Sequence, residues 1–107
     1  MNSKEEFENH IKNKGKIITA KIGFQNNYDW NEWYLLPKNY TKEQYNEFLI
    51  KINKYYDSGY GSQELDGIIL FKDSYSTRDE YDGSEWWENH KLPTISEVKK
   101  FNGGHFR

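Results

Sequence analysis

The sequence predicts an α+β domain: a small antiparallel sheet of three or four strands packed by one main amphipathic helix, with short helices at the N- and C-terminal ends. Three observations predict it. Tyr45, Phe48, Leu49, Ile52, Tyr55 and Tyr56 recur at the i, i+3, i+4, i+7 spacing of a single helical face. Ile18, Ala20, Ile22 and Phe24 alternate with Thr19, Lys21 and Gly23, the period of a strand with one side in water. The apolar run Ile68 to Phe71, followed by Tyr75, Thr77, Asp79 and Tyr81 alternating with Ser76, Arg78 and Glu80, reads as the two strands of a hairpin.

Each element has its local reason. Ser3 with Glu6 forms a capping box for a first helix, on which Phe7 and Ile11 share a face and which Gly15 ends. The first strand covers residues 16 to 24, and residues 25 to 33 read as an Asn-rich turn before a short strand at 33 to 36. Trp30 and Trp33 in that turn either cap the core or form an aromatic contact loop beside Trp86 and Trp87. Thr41 with Gln44 is a second capping box and opens the main helix, expected over residues 42 to 56. A glycine-flanked loop at 58 to 62 lacks the Lys-Ser/Thr of a phosphate-binding loop.

The next strand is expected over 66 to 72 and buried on both faces, because its apolar run is continuous. Its partner covers 75 to 81. Asp82-Gly83 signals another turn, after which Ser84 to Trp87, if extended, sends one indole inward and the other outward. Pro93, Thr94 and Glu97 open a terminal helix with Ile95, Val98 and Phe101 apolar; Asn102-Gly103-Gly104 stops it, and residues 102 to 107 are expected to fray.

The 107 residues make a single domain, and surface scaling lets such a chain bury about 65% of its unfolded surface. Aromatic residues are 18% of the chain, so the core must be built largely of rings. The absence of cysteine excludes disulfides, thiolate nucleophiles and Cys-ligated zinc. No apolar stretch is long enough to span a membrane and no secretory signal opens the chain, so a cytoplasmic protein of a bacterial host is expected.

His10, His90 and His105 have no metal-ligand spacing, and neither a Gly-x-Ser-x-Gly elbow nor a local Ser/His/Asp set is present. No catalytic residue, metal or cofactor is therefore expected. One enzymatic alternative is a metal-dependent, nuclease-like acid site drawing on Asp66, Asp79, Glu80 and Asp82. Another alternative is a nucleic-acid-binding module using Lys12, Lys14, Lys16 and Lys21.

Charge is divided unevenly along the chain. Residues 57 to 88 hold nine acids against Lys72 and Arg78, a balance of −7, and the remaining 75 residues carry +5. Such a face repels nucleic acid, so direct nucleic-acid binding is not expected there. Carboxylates interleaved with rings suit a basic protein partner: Asp79, Glu80, Tyr81, Asp82, Glu85, Trp86 and Trp87 form the expected partner-binding set, with Trp86 or Trp87 as anchor.

Leu36-Pro37 with Tyr40-Thr41-Lys42-Glu43 opening a helix, the segment Tyr56 to Leu65, the run Arg78 to Trp87 with its Glu-Tyr-Asp-Gly-Ser-Glu-Trp-Trp core, and Pro93 resemble a family of small uncharacterised proteins of phages and other mobile elements, over about residues 35 to 98. The family carries no mechanism to transfer. Small, acidic, cysteine-free proteins of such elements are similar in kind to anti-defence inhibitors. That analogy of context and composition, taken with the acidic aromatic face, leads us to expect a non-enzymatic inhibitor of a basic, nucleic-acid-handling host protein, most sharply an anti-CRISPR protein that blocks a Cas effector such as Cas9.

Overall fold

The structure is a computed structural model that describes residues 2–26, 29–56, 64–81 and 84–100. The 58–62 loop, the Asp82-Gly83 turn, and Phe101 with the residues after it lie outside that description. In chain order the elements are α1 (Ser3–Ile11), β1 (Ile17–Asn26), β2 (Asp29–Leu36), α2 (Lys42–Lys51), β3 (Leu65–Phe71), β4 (Ser74–Tyr81), β5 (Ser84–Lys91) and α3 (Ile95–Lys100). All five strands join one antiparallel sheet in the order β2-β1-β3-β4-β5.

The fold is α+β, with five strands in place of the expected three or four. Two segments account for the difference. Ser84–Lys91 pairs with β4 along its whole length, from Tyr81↔Ser84 to Ser74↔Lys91, and so is a full edge strand. Much of the expected Asn-rich turn is also strand, since Asp29, Glu32 and Trp33 pair with β1.

Both longer helices cover one face of the sheet. Phe7 of α1 and Phe48 of α2 join Ala20, Ile22, Leu36, Leu65 and Ile69 in a single buried cluster. The Thr41–Gln44 capping box that opens α2 is present in both directions. This helix stops at Lys51 rather than at residue 56: Ile52 leaves helical geometry, Tyr55 turns out to solvent and Tyr56 enters the core. At α1 the cap is Asn2, whose side chain accepts the Glu5 N–H at 3.0 Å. Ser3, expected as that cap, is buried, and its hydroxyl donates to the carbonyls of Ile52 and Lys54.

Three expectations about facing also change. A bulge between Ile17 and Thr19 turns Ile17 inward and leaves Ile18 half-buried. In β3, Leu65, Ile69 and Phe71 are buried, but Ile68 is 48% exposed, so the strand is covered on one face only. The terminal helix has its reciprocal Thr94–Glu97 cap, yet Ile95 and Val98 are exposed. No helix among the described residues is long and apolar enough to cross a membrane.

Among the described residues, two buried charged groups on the core face, Arg78 and Glu85, are explained by no hydrophobic pattern. Arg78 projects inward from β4, its side chain fully buried, and forms ion pairs with Glu6 of α1 and Glu85 of β5. Its Nη2 also donates to the Tyr56 hydroxyl at 2.9 Å, and Tyr56 donates to Glu6. The rings of Tyr56 and Trp87 lie 5.5 and 5.3 Å from the guanidinium carbon. Burial alone would lower the Arg78 pKa, but the Glu6 hydrogen bond and charge outweigh it and the pKa is raised. Burial, followed by the hydrogen bond to Glu6, raises that of Tyr56.

Replacing Arg78 with Met should therefore destabilise the fold by about 3–5 kcal/mol, because two carboxylates lose their buried counter-charge. Lys51→Ala, which removes only an exposed i,i+4 pair with Glu47, should cost under about 0.5 kcal/mol. Denaturant titration of both variants checks this contrast.

His10 supplies a pH dependence. Its ring stacks on Trp87 at 6.0 Å, and Nε2 lies 2.7 Å from the Ser76 hydroxyl. Burial first, then the charges of Lys14 and Arg78, lower its pKa against the opposing pull of Glu6 and Glu88. The folded state thus binds this proton less readily than the unfolded chain does. Its contribution is fully present above about pH 6.5 and is lost as the pH falls below that value. His10→Gln should flatten the stability profile in that window, as read by denaturant midpoints across a pH series.

Candidate functional site

Strand alternation gives the sheet a second face, and no helix among the described residues covers it. Three rows of cross-strand neighbours build this face. Thr19, Leu70, Tyr75 and His90 form one row. Leu35, Lys21, Ile68, Thr77 and Glu88 form the next. In the third, Trp33 lies beside Gly23 and Asp66, and Asp79 pairs with Trp86.

Trp33, Leu35, Ile68, Tyr81 and Trp86 are all exposed. Scattered exposed apolar side chains are ordinary; here five share one uncovered sheet face, which makes it the candidate interaction surface. Trp33 and Trp86 stand on the β2 and β5 edges, four strand spacings or about 19 Å apart. A shallow hollow of about 270 Å³ opens between Trp33, Lys21, Asp66 and Ile68.

Local contacts hold the larger side chains in place. The Trp86 indole N–H donates to Glu88 Oε2 at 2.9 Å. His90 packs on Tyr75 at 4.9 Å, with its Nε2 3.0 Å from the Thr77 hydroxyl. Lys21 Nζ stands 5.5 Å from the Trp33 ring centre. The Trp33 ring lies so close over Gly23 that a Cβ there would come within 2.3 Å of it. On the opposite face, the Trp87 ring crosses Gly67 in the same way, at 2.9 Å from a Cβ placed there.

Of the expected partner-binding residues, Asp79, Tyr81 and Trp86 share this open face. Glu80 is exposed at the end of β4 but alternates to the other side, and Asp82 lies outside the described residues. Glu85 and Trp87 are corrections: they are 6% and 8% exposed and point into the core. Glu85 accepts the N–H groups of Glu64 and Leu65 at 2.8 and 3.3 Å and pairs with Arg78, so its charge is spent inside the molecule. Trp33 is on the far edge from Trp86, not beside it, and the Trp30 side chain lies outside the described residues.

Lys21, Leu35, Asp66, Ile68 and Glu88 belong to the face but were not among the expected set. The alternating signal of Lys21 and Leu35 with their inward neighbours was available in the sequence. That of Ile68 was hidden in an unbroken apolar run.

The antiparallel order also converts the charge division along the chain into a division across the molecule. One end of the sheet gathers Glu64, Asp66, Asp79 and Glu80; the other gathers Lys16, Lys38, Lys72 and Lys91, with Asp73 among them. Among the described residues, no three His, Asp or Glu side chains gather where they could hold a metal ion.

No family model matches the chain, and no curated protein or solved structure matches it.

The two glycine–tryptophan contacts differ in how they can yield. Trp33 is partly exposed and must rotate to make room, so Gly23→Ala should shift the Trp33 indole N–H resonance and cost less stability than the change at Gly67. At Gly67 a Cβ also meets the Lys21 carbonyl at 2.8 Å, and neither backbone nor buried Trp87 can retreat. Gly67→Ala should cost about 1–3 kcal/mol, measured by denaturant titration.

Proposed function

We propose that the chain is a non-enzymatic inhibitor that seats the open face of its sheet, at the acidic end, on a basic surface of a nucleic-acid-handling protein. The observation that carries this reading is the uncovered Trp86 indole, exposed and pinned by Glu88, with Asp79 opposite it and Tyr81 next along β4. A rigid ring among carboxylates fits a site built for bases and phosphates: the ring supplies buried area, and the charges steer the approach. The reading is narrower than the expected set. Glu85 and Trp87 hold the fold, while Asp79, Tyr81, Trp86 and Glu88 meet the partner, and Glu80, on the other side of the β4 end, adds only charge that steers the approach. In its sharpest form the partner is a Cas effector such as Cas9 and the chain is an anti-CRISPR protein of a mobile element.

The test is competition. Purified chain should prevent guide-loaded Cas9 or another basic nucleic-acid-binding protein from binding its DNA, with an inhibition that weakens as salt rises. The triple variant Asp79→Lys, Glu80→Lys, Trp86→Ala should lose that inhibition by at least about a hundredfold, about 2.7 kcal/mol, with its melting temperature nearly unchanged. A folded triple variant that inhibits as well as the parent, or a chain that no basic nucleic-acid-binding protein retains, would overturn the proposal.

A further inference from the structure

At the basic end of the molecule two adjoining hollows share Lys16, Ile17 and Tyr40. The larger of the two, about 400 Å³, runs toward Lys42 and Tyr45; the other, about 360 Å³, has Ile18 in its floor and Lys38 and Lys72 on its rim. No acidic side chain lines either hollow. The acids adjacent in sequence, Glu43 beside Lys42 and Asp73 beside Lys72, line neither hollow, and Asp73 lines a different depression with Lys14 and Lys91.

None of the four lysines is in an ion pair among the described residues. Among the described residues, four lysines thus line two adjoining hollows whose lining holds apolar side chains and no carboxylate. The groove is also ordered where it matters. Tyr40 is half-buried and stacks on Tyr45 at 5.7 Å and 27°. The turn before it is fixed by Asn39, which holds φ at 62°, a left-handed conformation that asparagine tolerates better than most residues.

We infer that this groove binds a nucleoside monophosphate unit, its flat base against Tyr40 and Ile18 and its phosphate among Lys16, Lys38 and Lys72. The two halves of the argument are independent. Unpaired lysines at a rim select a compact anion as point charges. An aromatic ring beside aliphatic floor selects a flat apolar body, since stacking on a side-chain ring is open to every base. Inorganic phosphate satisfies only the first half and adenosine only the second. The site shares no residue with the acidic face and does not depend on it.

The experiment is a titration of the full chain, followed by amide chemical shifts, with adenosine monophosphate, inorganic phosphate, adenosine and a short oligoadenylate as separate probes. Adenosine monophosphate should shift the amides of Asn39, Tyr40 and Lys72 and bind at least about tenfold tighter than phosphate or adenosine alone. Lys38→Glu with Lys72→Glu, both at exposed positions, should weaken it about tenfold or more, and Asp79→Lys should leave it unchanged. Tighter binding of the oligoadenylate at the same amides identifies the source as a strand, and weaker binding identifies a free nucleotide. The inference fails if neither nucleotide probe shifts these amides, if phosphate alone binds as well as the nucleotide, or if the double lysine variant binds unchanged.

Discussion

A guanidinium buried in the middle of a small protein has to be surrounded before the sheet can close, and Arg78 is surrounded from three parts of the chain. Glu6 comes from α1, Tyr56 from the segment after α2, and Glu85 and Trp87 from β5. Leaving such a charge unpaired is far more costly than any single surface contact is favourable, so these parts are locked to β4 together. The nine-residue α1 illustrates the dependence. A helix of that length is marginal by itself in water. It is held by Phe7 in the core, by Ser3 against the carbonyls of Ile52 and Lys54, and by Glu6 on Arg78.

The same constraint decides what the outer surface displays. Side chains on a strand alternate, so drawing Glu85 and Trp87 inward to Arg78 forces Ser84, Trp86 and Glu88 outward. A register slip of one residue would exchange the two indoles and leave a buried arginine facing Trp86 and Glu88 at the wrong spacing. The identity of the exposed tryptophan is therefore set by the buried ion pairs, and the open face inherits its composition from the core.

This also explains what could be read from the amino-acid order. The hairpin of β3 and β4, the alternation in β1 and the capped start of α2 depend on neighbours within a few residues, and all three are present. The fifth strand is less visible because Ser84 to Lys91 buries Glu85 and Trp87 and exposes Trp86, so hydrophobicity does not alternate while burial does. Nor does any local pattern pair residue 6 with residue 78, or reveal that the acid at 85 is an internal counter-ion. Ile68 was misplaced for a related reason: an apolar run looks the same whether its second face is covered by protein or left open for a partner. The expected residues that lie on the open face, Asp79, Tyr81 and Trp86, are those whose alternation or turn signals are local, although the choice between Trp86 and Trp87 was open in the sequence.

Charge is the property in which order along the chain and position in space coincide. The ten residues of β1 extend about 30 Å from Ile17 to Asn26, several times the screening length of about 8 Å at physiological salt. The lysines at one end of the sheet and the carboxylates at the other therefore act on their surroundings almost independently. A basic surface approaching the molecule is drawn to the end bearing Glu64, Asp79 and Glu80 and is turned away from the end bearing Lys16, Lys38 and Lys72. In the proposed docking through Trp86 the lysine groove would face away from the basic partner, and a phosphate held in that groove would neither compete with the acidic face nor screen it. One chain of 107 residues can carry two oppositely charged surfaces because its antiparallel sheet keeps them at opposite ends.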